Sequence, residues 1–272
     1  MREFQKIIKY VAIAFGLYLA ITIISFIVGI VITISTGIFG IQMITEQVNI
    51  EKVDVTQEFE KLSKLDLEIN SSNLTIKTEG DKFKVETFQT PESMHIENKN
   101  GTLEIKDTKK LAFSNDAKIV IYIPSNIELE KIKLEMGAGT VEIDNVISNR
   151  VDFNFGAGSV KINNLISNDA EIECGAGQVI IESSDLSNVN IDTGVGKLLY
   201  SGFMRGKSEV NCGIGEVDIN LEGGNEIYKI GVEKGIGDIK INDIEVANKS
   251  ITGNGENRIE IEGGIGSIEI KM

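Results

Sequence analysis

The feature that most constrains this chain is a short glycine phrase that returns at a fixed interval. Gly137-Ala-Gly139-Thr-Val-Glu-Ile143 recurs around Gly156 and Gly158, Gly175 and Gly177, Gly194 and Gly196, and Gly213 and Gly215, each copy 19 residues after the last. Two further copies, around Gly235 and Gly237 and around Gly264 and Gly266, follow at longer intervals that fit small insertions. After each phrase comes an alternating run such as Val160-Lys-Ile162. A polar turn such as Asn163-Asn164 or Ser148-Asn149 follows, and then a second alternating run such as Val151-Asp-Phe153-Asn-Phe155 or Ala170-Glu-Ile172-Glu-Cys174. Period two with one apolar face is the pattern of a half-buried strand. A unit this short cannot bury that face alone, so neighbouring units must stack, with equivalent residues in columns about 4.8 Å apart. The expected fold class is all-β: a β-solenoid, β-helix-like, built of 19-residue two-strand repeats over residues 136–272.

Paired glycines also cradle phosphates, but a dinucleotide fingerprint needs a third glycine and a helix opening directly behind it. Here a strand follows each pair, and a cradle has no reason to recur seven times. The glycines are therefore read as corners. The calcium-binding nonapeptide pattern fails in the same way, because tandem nine-residue spacing with a regular Asp is missing. No cofactor is expected.

Column logic extends to the two cysteines. Cys174 and Cys212 hold one repeat position two units apart, with Thr193 between them. Two rungs separate backbones by about 9–10 Å, beyond the roughly 7 Å a disulfide tolerates. Two buried thiols are expected. Residues 50–135 are less regular but still alternate, as in Leu65-Asp-Leu67-Glu-Ile69 and Ala117-Lys-Ile119-Val-Ile121-Tyr-Ile123. They read as opening coils or a small β cap over the first rung, since terminal repeats must be atypical.

The amino terminus is different in kind. Arg2, Lys6 and Lys9 precede a stretch with no further charge until Glu46, and its apolar part exceeds the roughly 20 residues that span a bilayer core. A cleaved signal peptide would carry an apolar region of only about 7–15 residues, and no Ala-x-Ala site follows. The expected organisation is a cytoplasmic stub at 1–9, a transmembrane helix serving as an uncleaved signal anchor at 10–34, and a juxtamembrane linker at 35–49. The cap and the solenoid then lie on the extracellular side by the positive-inside bias. The bilayer is thus the expected partner of residues 10–34. Within that span Ala12, Gly16 and Ala20 fall four apart on one face, a spacing that lets a second helix approach closely. It is also a spacing that ordinary membrane-span composition produces.

Of the formal net charge of −14, residues 1–45 supply Arg2, Lys6 and Lys9 against Glu3, a net +2, so the remainder carries −16. Such a surface repels nucleic acid, which is bound by displacing counterions with Lys and Arg. The one histidine, His95, sits in an expected loop with no nucleophile beside it, so no Ser-His-Asp or Cys-His arrangement can be assembled. The chain reads as a non-enzyme. Its best candidate site is an acidic patch of outward residues, Asp152 over Glu171 and Glu173 over Asp192. Oxygen ligands of that kind suit Ca²⁺, and a solvated, salt-screened face is the alternative.

The segment IYIPSNIELEKIKLEMGAGTVEI, the repeated glycine phrases and the closing GNGENRIEIEGGIGSIEI resemble a bacterial putative-adhesin family of β-strand-repeat proteins, including the membrane-anchored LiaG-like proteins of Gram-positive bacteria. The resemblance covers roughly residues 60–272. It adds to the solenoid reading; an acidic rod displayed outside the membrane is expected to be a cell-envelope surface binding or structural module, with a membrane-protein or cell-wall partner. The resemblance also admits an accessory role beside an envelope-stress sensor, and it supplies no catalytic motif. A Gly16→Leu substitution tests the helix stripe: if the stripe is a packing face, self-association in detergent falls, whereas unchanged association leaves it as ordinary span composition.

Overall fold

The computed structural model describes residues 52–107, 116–125 and 127–272. The expected stub, span and linker, with Ala12, Gly16 and Ala20, lie outside them. Among the described residues no helix is long and apolar enough to cross a membrane. Residues Glu51–Met272 form one compact unit.

The unit is a 13-stranded sheet wound into coils. Its strands in chain order are β1 (Lys52–Phe59), β2 (Lys64–Thr78), β3 (Phe83–Pro91), β4 (Met94–Lys99), β5 (Thr102–Asp107), β6 (Lys118–Ile123), β7 (Glu128–Ser187), β8 (Val189–Arg205), β9 (Lys207–Leu221), β10 (Tyr228–Ile241), β11 (Ile244–Glu245), β12 (Ser250–Gly253) and β13 (Asn257–Lys271). The 60-residue β7 is one continuous strand because it winds through successive rungs with the backbone paired along the way. Parallel pairing runs at the repeat offset: Ile172 lies beside Ile191, Ile191 beside Val210, and Gly177 beside Gly196. The solenoid is as the repeat predicts.

Inside, identical positions stack into apolar columns. Ile172, Ile191, Val210, Ile261 and Val232 form one of them, each at most 2% exposed. Burying each such side chain stabilises the fold by about 1.5–3 kcal/mol, and every rung supplies several. The polar turn of each repeat resolves into two corners rather than one. Asn145 and Asn164 take the left-handed conformation at the first, with φ of 54° and 53°. A short third side then buries Val146 or Leu165. At the second corner the buried Ser148 and Ser167 donate hydrogen bonds to the carbonyls of Arg150 and Asp169. Asparagines also stack between rungs, Asn164 donating to Asn145 at 2.6 Å and Asn168 to Asn149 at 3.0 Å.

The glycine corner is the tightest contact. Gly158 has φ of +140°, and a β-carbon there would overlap the carbonyl oxygen of Gly139 one rung away. One at Gly156 would overlap the carbonyl of Gly137. The first coil, in β2, carries Asn70-Ser-Ser72 where later coils carry Gly-x-Gly, and Gly139 packs on Ser72. It is an opening coil in register with the rest. In front of it, β5 and β6 pair in parallel with the first and last parts of β2. The antiparallel strands β4, β3 and β1 close this end.

The far end departs from chain order. β13, the last strand, lies between β9 and β10 and pairs in parallel with both. Spatially the glycine corners run Gly215, Gly266, Gly237. The longer intervals explain how. The 22-residue step into β10 gives three residues beyond a normal coil, roughly 10 Å of chain, enough to climb one additional rung of about 4.8 Å. The insertion after β10 carries β11 and β12, which pair antiparallel with β10, and then returns the chain into the gap. An outermost parallel rung would offer a long bare edge for non-native pairing. Here β12 pairs with Lys229–Val232 and β11 with Lys240–Ile241, so that edge is covered at both ends of β10.

Cys174, Thr193 and Cys212 occupy one column as the spacing predicts, both thiols are buried and free, and burial pushes the Cys174 thiol upward. His95 differs from expectation. It is exposed in β4, directly across from Lys106, because Met94–Lys99 pairs antiparallel with β5 instead of forming a loop.

Two predictions follow from this packing. Gly158→Ala is expected to lower the unfolding free energy by about 2–5 kcal/mol through backbone strain and overpacking, while Ala157→Ser, between the same glycines, changes it by less than about 0.5 kcal/mol; denaturant midpoints measure both. The second concerns Tyr200, whose hydroxyl donates to the carbonyl of Phe203 at 2.7 Å. Burial, aided by Tyr228, Asp185 and Glu222, holds that phenol far above its ordinary range. The folded state therefore keeps a proton that the unfolded chain loses near pH 10. The stabilisation is complete below that pH and declines above it by up to about 1.4 kcal/mol per pH unit. Tyr200→Phe is expected to flatten this alkaline decline while costing about 1 kcal/mol at neutral pH.

Candidate binding face

The strand that enters each glycine corner turns three side chains outward, and the register lines them into three columns. The first reads, in rung order, Lys64, Lys131, Arg150, Asp169, Asn188, Lys207, Arg258, Lys229. The second passes through Asp152, Glu171, Asn190, Glu209 and Glu260, and the third through Asn154, Glu173, Asp192, Asn211, Glu262 and Glu233. A mainly basic column therefore runs beside two mainly acidic ones.

All four residues of the expected acidic patch lie on this face, and Glu173 stands directly beside Asp192. None is bare. Lys131 pairs with Asp152 at 2.9 Å, and Arg150 reaches both Asp169 at 3.0 Å and Glu171 at 3.2 Å. Asn154 donates to Glu173 at 2.7 Å and Asn211 to Asp192 at 2.8 Å. The pattern read from carboxylates alone missed the neutralising Lys131 and Arg150. They sit 19 residues apart, as Asp169, Asn188 and Lys207 continue, so the repeat itself carried the signal. Arg258 and Lys229 carried none, because they join the column through the rung order.

The charge balance changes along the column. Lys64, Lys131 and Arg150 are ion-paired. Lys207, Arg258 and Lys229 stand on three successive rungs, and no described carboxylate lies within ion-pair distance of them. The glycine corner has its own outward row. Between the paired glycines stand, in rung order, Ala138, Ala157, Ala176, Val195, Ile214, Ile265 and Ile236, the last four 49–67% exposed. With a glycine on each side, they form an apolar ridge that grows toward the far end.

Neither face closes over a cleft. Grooves of about 370, 450 and 480 Å³ lie open along the coil surfaces. Among the described residues no group of three or more His, Cys, Asp or Glu side chains converges as a metal site would require. His95 faces Lys106 across the strands, with no nucleophile in register. What the arrangement offers is fixed spacing: charged groups repeated every rung on a rigid sheet, suited to contact with an extended partner. With its carboxylates already engaged, millimolar Ca²⁺ is expected to leave the melting temperature unchanged. A rise that Glu173→Gln abolishes would restore the patch as a calcium site.

No curated protein matches the chain. Solved structures similar to it include a putative cell adhesion protein from Clostridium sporogenes, at 20% identity and TM-score 0.40, the match covering 81% of this chain and 99% of that one. A putative adhesin from Bacteroides fragilis is similar at 16% identity and TM-score 0.39, covering 81% and 98%. A putative lipid binding protein from Parabacteroides distasonis is similar at 18% identity and TM-score 0.37, covering 80% and 96%. The model of the Toastrack family matches residues 62–256, from the opening coil to the turn before β13. With most of the chain so matched, this protein belongs to the Toastrack DUF4097 family.

Proposed function

We propose that this chain is a non-enzymatic cell-envelope protein, anchored by residues 10–34 and presenting its solenoid outside the membrane as a binding module. The observation that carries the reading is the face built of outward columns. Its side chains contribute nothing to the core, repeat at the rung spacing, and lie on an open surface without a cleft for chemistry. Surface ion pairs of this kind contribute about 0–1 kcal/mol each to stability, so packing alone does not account for their arrangement. A partner that meets several rungs at once gains from every column it engages. The partner chemistry that fits is an extended protein segment or wall polymer carrying both signs of charge, since a uniformly anionic chain meets the acidic columns and a uniformly cationic one meets Lys207, Arg258 and Lys229.

The apolar, uncharged run in residues 10–34 supports anchoring, and the positive charges before it support the orientation. An accessory role beside a membrane sensor needs the same anchor and differs only in the partner. Capture of the intact protein from native membranes after crosslinking, with and without calcium, separates them. A wall polymer or surface protein in the captured fraction supports binding and adhesion, and an integral membrane protein supports the accessory role. The triple charge reversal Glu171→Lys, Glu173→Lys and Asp192→Lys is expected to reduce the captured partner severalfold without loss of folded protein. Capture that is indifferent to this reversal and to reversal of Lys207, Arg258 and Lys229 removes the face from the proposal.

A further inference from the structure

The last strand of the chain lies inside the stack rather than at its end. β13 is hydrogen-bonded along its length to β9 on one side and β10 on the other. Residues 222–227 join β9 to β10 directly, so the slot that β13 fills is built by chain that precedes it. Its corner is generic: Gly213-Ile-Gly-Glu-Val-Asp-Ile219, Gly235-Ile-Gly-Asp-Ile-Lys-Ile241 and Gly264-Ile-Gly-Ser-Ile-Glu-Ile270 share one pattern. Its other strand is particular. Gly231 lies opposite Glu260, and a β-carbon at 231 would overlap the Glu260 carboxylate. The slot is thus shaped for β13, yet nothing in its shape depends on which molecule supplies β13.

The tether allows either source. Once β11 and β12 leave β10, residues 242–256 reach roughly 50 Å when extended, the height of many rungs. Along its first strand the seat is held by core and backbone against like charge: Glu260 faces Glu209 and Glu262 faces Glu233, and like charges directly opposite destabilise a pair of strands.

We propose that β13 is an exchangeable rung, and that two copies of this chain can insert residues 257–271 reciprocally between each other's β9 and β10. Every contact of the rung is the same in the exchanged and unexchanged forms. What differs is the path of residues 242–256, including the pairings of β11 and β12 on β10 that lie within it, and the cost of bringing two copies together; exchange of identical elements is a low-cost route to dimers. Confinement of copies at high local concentration lowers the second cost further. A second copy is the occupant because it alone brings both the Gly-Ile-Gly corner and a glutamate matched to Gly231.

The test uses two full-length copies with different tags, made in the same cells, one carrying Glu209→Cys and the other Glu260→Cys. These positions are exposed and directly paired, and the native thiols are buried. The expected result is an oxidised dimer bearing both tags. It is absent when Glu260→Cys is replaced by Glu269→Cys, whose neighbour on β9 is Asp218. It increases severalfold when residues 246–249 are deleted, because a shorter tether hinders return within one copy. A single chain with both Glu209→Cys and Glu260→Cys reports whether β13 is seated at all. The proposal is overturned if that chain oxidises only within single copies and the mixed pair gives no two-tag dimer at either tether length. Failure of the double variant to oxidise overturns it as well, by removing the rung order it stands on.

Discussion

Backbone meeting backbone at the glycine corner is the contact on which the rest of this structure depends. At Gly158 and its equivalents the chain turns with φ in the left-handed region while the carbonyl of the rung below occupies the space a side chain would need. Replacing one such glycine forces two rungs apart locally, and a lengthwise stack shares that displacement with the neighbouring rungs. Close approach at the corner holds rungs at hydrogen-bonding distance, and only then do the inward columns meet in van der Waals contact. The short repeat is possible because the corner costs so little space. The first coil carries Asn70-Ser-Ser72 at this corner, and β5 and β6 pair with the strand segments on either side of it.

How much of this was legible follows from what each position must satisfy. Inward residues and corners meet their own equivalents, so they are selected to be alike, and a repeat of glycines and alternating aliphatics announces itself. That made the solenoid, the shared column of Cys174, Thr193 and Cys212, and the outward placement of Asp152, Glu171, Glu173 and Asp192 readable from spacing. The two corners within each polar turn were harder, because Asn163-Asn164 and Ser167-Asn168 stand only a few residues apart and the buried Leu165 between them is a single apolar residue. His95 was misplaced because its strand pairs antiparallel in the cap, where no repeat guides the eye.

Rung order was not legible for a different reason. Intervals of 22 and 29 residues say that something is inserted, but a loop that climbs over a rung and a loop that merely bulges have the same composition. What decides between them is long-range: whether β10 or β13 makes the better neighbour for β9, and which leaves the better-covered edge. The structure resolves this by placing β11 and β12 on the exposed side of β10. Consequences extend to the surface, where Arg258 stands between Lys207 and Lys229, and Ile265 between Ile214 and Ile236, only because of that order.

Outward positions obey the opposite rule from inward ones. A solenoid of identical rungs would stack every carboxylate on a carboxylate and every lysine on a lysine at the strand spacing, an arrangement that like-charge repulsion penalises at each step. Sign changes or amides must therefore be inserted from rung to rung, as Arg150 is beside Asp169 and Asn211 beside Asp192. Repetition inside and divergence outside are thus two results of one geometry. Where the divergence falls is not dictated by electrostatics alone, since among the described residues Lys207, Arg258 and Lys229 stack with no carboxylate at ion-pair distance while Lys64, Lys131 and Arg150 are paired. In the basic column, the positions that neither the core nor a described ion pair accounts for are those of the last three rungs, Lys207, Arg258 and Lys229.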